Sequence, residues 1–285
     1  MKKNEESNLN KFINEIEDSY TKKYTKTEFT IYIVLRILVI AVMIRQIFTA
    51  NWNNVFLCVL TLFLFLLPTI IQRSLNVTLP NTLEIIILLF IFSAEILGEI
   101  NNFYGLFKHW DTILHTINGF LCAAIGFSLI DLLNRTERFH ITLSPIFVAL
   151  VAFCFSMTIG VLWEFFEFGV DKILKMDMQK DEILSSISSV SLDPNNHNKP
   201  IVINNIRSTA IYSVDNQGNT LVTTIPNGYL DLGLNDTMID LLVNFIGASV
   251  FSILGLLYIK DRDEYKFVEH FLPILRKKKH TENDN

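Results

Sequence analysis

LSPIFVALVAFCFSMTIGVLWEFFEFGVD, residues 143–171, is the stretch that decides the fold class of this chain. Its first twenty-one residues carry no charge, and at about 1.5 Å per residue such a helix reaches across the ~30 Å hydrocarbon core of a bilayer. Glu164, Glu167 and Asp171 then follow at i, i+3 and i+7, which stacks three carboxylates on one side of an otherwise apolar helix. Ionisable groups are expensive in hydrocarbon, so they face a bundle interior, a cavity or an ion.

Comparable apolar runs lie at 28–49, 53–72, 80–100, 111–133 and 237–259. With 143–168 they predict an all-α polytopic membrane protein of about six transmembrane helices, a multi-pass protein of the cell membrane. The composition agrees: 50% apolar residues and 23 Phe exclude an ordinary soluble domain. Only 19% of residues are charged and the net charge is -5, so nothing suggests a nucleic-acid partner, and the expected partners are membrane lipids. Cys58, Cys122 and Cys154 sit inside apolar runs without metal-finger spacing and read as small buried hydrophobes. Residues 1–26 are polar and lack a cleavage site, so the first apolar run is expected to stay as an anchor.

Positive charge near the span ends orients the chain. With the amino terminus inside, the inner set is Lys22, Lys23, Lys26, Arg73, Arg135, Arg138, Lys260, Arg262 and Lys266, against Arg45, Lys108, Lys172, Lys175 and Lys180 outside. Both termini are therefore expected in the cytoplasm. Residues 1–27 form a cytoplasmic polar segment, 28–168 hold the first five helices, 169–236 an extracytoplasmic segment, 237–259 the sixth helix and 260–285 a cytoplasmic charged tail.

The excursion between the last two spans is expected to contain β-structure. IVINNI, TAIYSV and TLVTTI read as strands, the last two flanking DNQGN, where Gly218 suits a hairpin turn, while EILSSISSV reads as a brief helix. The segment either closes over the membrane domain or touches a ligand.

Three elements carry the chemistry. HWDTILHTINGF places Asp111 and His115 four apart on one helical face, with His109 just before them and Asn118 and Gly119 one turn deeper. The second element is WEFFEFGVD. In LNDTMIDLLVNFIGAS, Asp236 and Asp240 are four apart, and Asn244 and Gly247 continue their stripe; Asp236 reads equally as a helix cap. The topology puts the relevant ends of spans three to six on the outer side, so Glu95 and Glu99 are expected to join Asp111, His115, Glu164, Glu167, Asp236 and Asp240 there. Such a carboxylate set needs protonation, pairing with Lys108 or an imidazole, or a bound cation.

A divalent metal suits the set, with His109, Asp111, His115, Glu164, Glu167, Asp236 and Asp240 as candidate ligands. Imidazole with carboxylate fits zinc, manganese or iron, and carboxylate alone fits magnesium. The expected function is then a metal-dependent membrane enzyme, hydrolytic, acting on a lipid-linked or cell-envelope substrate, with His115, Glu164 and Glu167 as catalytic candidates. Two other readings stand beside it: a polar network that fixes helix packing or binds a partner, and a proton- or cation-coupled transporter. Metal identity and oligomeric state are left open by the sequence.

The same three elements, His109-Trp110-Asp111 with His115, Trp163-Glu164 with Glu167 and Asp171, and Asp236-Thr237 with Asp240, Asn244 and Gly247, resemble the uncharacterised inner-membrane family typified by YjdF, over about residues 30–260. More distantly the arrangement is similar to VanZ-like membrane proteins, some of them associated with glycopeptide-antibiotic resistance and the cell envelope. The double His, the paired Glu and the long segment before the last span depart from that wider group. What the resemblance implies is the membrane fold and the place of the site, not a reaction. Trp110, Trp163 and Tyr104 read as interfacial anchors or as substrate contacts, and Arg276, Lys277, Lys278 and Lys279 as an anionic-lipid contact or a solvated tail.

Overall fold

The computed structural model describes residues 26–74, 77–135, 143–195 and 197–275. Lys22, Lys23, Arg138 and the basic cluster 276–279 lie outside them. The helices are α1 (Lys26–Phe48), α2 (Trp52–Leu64), α3 (Leu67–Ser74), α4 (Asn81–Phe92), α5 (Phe103–Leu106), α6 (Trp110–Arg135), α7 (Pro145–Leu174) and α8 (Leu234–Lys260). Short strands are β1 (Val77–Thr78), β2 (Glu182–Leu184), β3 (Ile187–Ser189), β4 (Ile201–Ile203), β5 (Ser208–Val214), β6 (Thr220–Pro226), β7 (Tyr229–Asp231) and β8 (Ile274–Leu275).

Among the described residues, five helices are long and apolar enough to cross a membrane: Glu28–Phe48, Trp52–Ser74, Trp110–Asp131, Pro145–Leu174 and Leu234–Lys260. The second breaks between α2 and α3 just ahead of Pro68, whose ring nitrogen donates no hydrogen bond. The expected third span at 80–100 has a different character. It is twelve residues of α4 followed by a π-helix, Ser93–Ile100, and it carries Glu84, Glu95 and Glu99. The wider turn shows in the amide of Asn101, which donates to Ile96 O, and the indole Nε1 of Trp110 donates to Ser93 O at 3.3 Å.

The chain divides into two compact units, Met1–Met157 with Asn244–Asn285, and Thr158–Val243. Each of α7 and α8 is one continuous helix with residues in both. In the first unit, Leu35, Val39, Cys58, Leu83, Leu88 and Ile96 build one apolar core. Ala123, Ala124, Phe127, Val148, Ala248 and Phe251 build a second. Exposed Ile33, Ile37, Ile40 and Ile44 cover the outside of α1, as expected of a helix that meets lipid.

The crossing of α6 and α8 is set by two glycines. A methyl group on Gly119 would run into the carbonyl of Asn244, and one on Gly247 into the carbonyl of Thr116. The two backbones touch because neither residue has a side chain, the small-residue contact by which membrane helices pack without a hydrophobic driving force.

The second unit holds three two-stranded antiparallel ribbons, β2 with β7, β3 with β4 and β5 with β6. The hairpin expected around DNQGN is there: Val214 pairs with Thr220, and Gly218 takes φ +87 in the turn. EILSSISSV is not a helix. Its residues form β2, β3 and a single 3-10 turn at Val190–Leu192, because each strand finds a backbone partner far along the chain, Leu184 with Tyr229 and Ile187 with Ile203.

Candidate functional site

At the start of α6, His115 Nε2 lies 3.4 Å from Asp111 Oδ1. The i, i+4 spacing puts both on one face, and both side chains are half-buried. Trp110, one residue earlier, is fixed by its bond to Ser93 and by ring contacts to Phe103 at 5.0 Å and Phe107 at 6.0 Å. These contacts hold the first turn of α6 against α5 and the π-helix. His109 and Lys108 are exposed in the loop before it.

Below the pair, polar side chains continue into the bundle. Asn118 Nδ2 donates to Asn244 Oδ1 at 3.2 Å, and Asn244, only 1% exposed, approaches Met157 Sδ at 3.5 Å. Cys122 Sγ lies 3.5 Å from Asn118 Oδ1, and Ser156 Oγ donates to Gly119 O at 2.7 Å. Buried polar groups of this kind are stable only when bonded to one another. Glu95 is buried within the π-helix and Glu99 is half-buried. Further in, α6 turns apolar at Ala123, Ala124 and Phe127.

In the second unit, Glu164 and Glu167 are buried on α7 at 4% and 8% exposure, and the Trp163 indole donates to Glu167 Oε1 at 2.8 Å. Asp171 has a structural task. Its two oxygens accept the amides of Met178 and Gln179 at 2.7 and 2.9 Å and so turn the chain after α7. Asp236 accepts the amide of Lys180 at 2.8 Å. The cap expected of Asp236 belongs to Asp231 instead, because α8 starts at Leu234 and the amide of Asn235 bonds Asp231 Oδ2 at 2.7 Å. Asp240 is 2% exposed and lies one turn before Asn244 on the same face of α8.

The electrostatics of the loops divide in the same way. Three backbone amides, Asn195 first, hold the carboxyl of Asp193 below the usual aspartate range. Burial, then neighbouring Asp177, Asp171 and Asp231, push that of Asp181 up.

Two buried polar groupings escaped the sequence reading. Gln72 Nε2 donates to Glu84 Oε2 at 3.2 Å, and Arg262 pairs with buried Asp131 at 3.2 Å. The available signal was a polar residue within a turn of a span end, facing another in a neighbouring span. Arg36, in the middle of α1, stacks over the Tyr32 ring at 3.2 Å and donates to Phe65 O.

Residues 30–261 match the family model described as "Predicted membrane protein (DUF2238)", and the chain belongs to that family. An uncharacterised protein of Thermotoga maritima is 29% identical over 107 residues, 38% of this chain. The match spans 53% of that relative, about half its length. No solved structure matches. The YjdF-type resemblance is consistent with this family, whereas the comparisons give the VanZ-like resemblance no support.

Proposed function

We propose that this member of the DUF2238 family is a divalent-metal-dependent membrane hydrolase in which Asp111, His115 and Asp240 hold the ion. The observation that carries the reading is the 3.4 Å between His115 Nε2 and Asp111 Oδ1. It is longer than a good hydrogen bond. Two ligand atoms each about 2.1 Å from a tetrahedral ion stand about 3.4 Å apart, so the pair has the bite of a zinc-type site. Asp240 enters by helix register: it precedes Asn244 by one turn of α8, and Asn244 bonds Asn118, which follows His115 by one turn of α6. His109 and Asp236 are left out, one exposed in a loop and the other bonded to an amide.

An ion held there supplies Lewis acidity and lowers the pKa of water. Glu164 is the proposed proton acceptor, and Glu167, oriented by the Trp163 indole, its companion. Six crossings, with Asn81–Ile100 as the third and both termini cytoplasmic, turn the site outward toward a lipid-linked or cell-envelope substrate. The transporter reading is the poorer one, since Ala123, Ala124, Phe127 and Phe251 fill the bundle deeper in. The polar-network reading draws on the Asn118–Asn244 bond, which fastens helices without any ion.

The test is turnover of lipid-linked phosphates and amides by detergent-purified protein loaded with zinc or manganese. Glu164→Gln is expected to keep the metal and lose turnover by about 10²-fold or more. Metal-loaded protein inactive on both substrate classes, or undiminished turnover in Glu164→Gln, contradicts the hydrolase.

A further inference from the structure

The β5–β6 hairpin is a two-stranded ribbon, and no other strand among the described residues flanks either edge. Such a ribbon is marginal in water by itself, whereas three or more strands make a stable sheet. Its composition is that of a sheet interior. Asp215, in the turn, is the one charged residue from Ser208 to Pro226, and Ile211, Tyr212, Val214, Leu221 and Val222 are exposed. Strand edges left open to water are ordinarily blunted by charge or proline.

The ladder shows which edge is open. The amide of Asp215 donates to Asn219 O and that of Asn227 to Arg207 O, just outside the end pairs Val214–Thr220 and Ser208–Pro226. In an antiparallel ladder those bonds make the end pairs wide ones, so the amides and carbonyls of Ser208, Ala210, Tyr212 and Val214 point away from β6, and those of Thr209, Ile211 and Ser213 point into it. On β6 the outward set is Thr220, Val222, Thr224 and Pro226, and Pro226 has no amide to give. The outward edge of β5 contains no proline and no charge.

β5 is also complementary to itself. When it runs antiparallel to a second β5 about a two-fold axis at Ile211, Ser208 meets the other copy's Val214 and Ala210 the other copy's Tyr212, each pair exchanging both backbone bonds. A small side chain then lies opposite a large ring. One step beyond each end, exposed Arg207 meets the other copy's Asp215, an opposite-charge pair. A slip of two residues either way faces Arg207 with Ser213 or Gln217 instead.

We propose that β5 is a homodimer interface, at which two copies of the chain join their hairpins into one four-stranded antiparallel sheet centred on Ile211, with Arg207 facing Asp215 at both ends. The surface lies wholly within the second unit and holds whether or not the protein is a hydrolase.

The test is disulfide cross-linking of the full chain in its native membrane, in a Cys58→Ala, Cys122→Ala, Cys154→Ala background. At the axis Ile211 faces its own copy in a wide pair, about 4.5 Å between Cα atoms, within reach of a disulfide. Thr223, opposite Ile211 on β6, lies three strand spacings from its copy, about 14 Å, which is out of reach. Under mild copper oxidation Ile211→Cys is expected to form a covalent dimer at least about tenfold faster than Thr223→Cys. Ala210→Pro removes an outward amide that the hairpin's own ladder does not use, and it is expected to slow dimer formation by Ile211→Cys at least about tenfold. Arg207→Glu, which sets like charges opposite each other, is expected to slow it about threefold. Equal rates at 211 and 223, or no slowing by Ala210→Pro, overturns the dimer. An adduct of Ile211→Cys with a different protein in place of the dimer overturns it too and gives the edge to a foreign strand. Thr209→Cys with Ser213→Cys, which face each other across the axis, replaces Ile211→Cys where the latter does not fold, with the same outcomes.

Discussion

Asp171, Asp231 and Asp236 on one side, and Asp111 on the other, are the same residue type put to different use. The first three bond backbone amides, those of Met178 and Gln179, Asn235, and Lys180. They close turns that helix ends leave unsatisfied. Asp111 faces an imidazole instead, with His115 Nε2 3.4 Å from its Oδ1. The sequence motifs mix both kinds. A carboxylate in a motif is evidence of a site only after the backbone's own demand for acceptors has been subtracted.

That contrast breaks most severely if the helix crossing beneath Asp111 and His115 is disturbed. Gly247→Val drives a side chain into the Thr116 carbonyl and is expected to cost more than about 3 kcal/mol, read as loss of monodisperse protein on size exclusion. Asp171→Ala is expected to cost about 1–3 kcal/mol, orphaning two amides. It should lower the thermal midpoint and raise proteolysis at 175–182 while leaving metal content intact. Metal loss in that variant would erase the distinction between the two kinds of aspartate.

The smallest effect is a pH dependence. The carboxyl of Asp181 is held above its usual range, first by burial, so the folded group binds its proton more readily than the unfolded one. Its stabilisation is present below the unfolded aspartate pKa and lost as pH rises through the folded value. Asp181→Asn is therefore expected to slow proteolysis of the segment at neutral pH. Asp193 has the opposite sign: its amide-bonded carboxylate stabilises above the ordinary aspartate pKa and weakens as pH falls through its lowered folded value. Protection of the amides of Asn195, His197 and Lys199, taken relative to their intrinsic exchange rates, that rises on acidification contradicts it.

Much of the fold was legible because hydrocarbon imposes one simple rule, a long and mostly apolar run, and α1, α6, α7 and α8 obey it. The hairpin was legible from its turn residues, DNQGN. Asn81–Ile100 was read as a uniform helix because periodicity does not register a change to π geometry. EILSSISSV misled because its strand partners lie about twelve to fifty residues away, and local pattern carries no register. At the site, spacing brought Asp111 to His115. It did not separate Asp236 from Asp240, since a backbone amide supplied by a distant loop leaves no mark at i+4.

The account stands on the metal. Elemental analysis of detergent-purified protein, after incubation with zinc, manganese, iron or magnesium and removal of free ions, should find about one ion per chain. Folded His115→Ala and Asp240→Asn should lose it, while Asp171→Ala keeps it. Protein that retains no ion under any of these conditions, or folded His115→Ala that binds as the wild type does, contradicts the claim and leaves Asp111 and His115 as part of a hydrogen-bonded network.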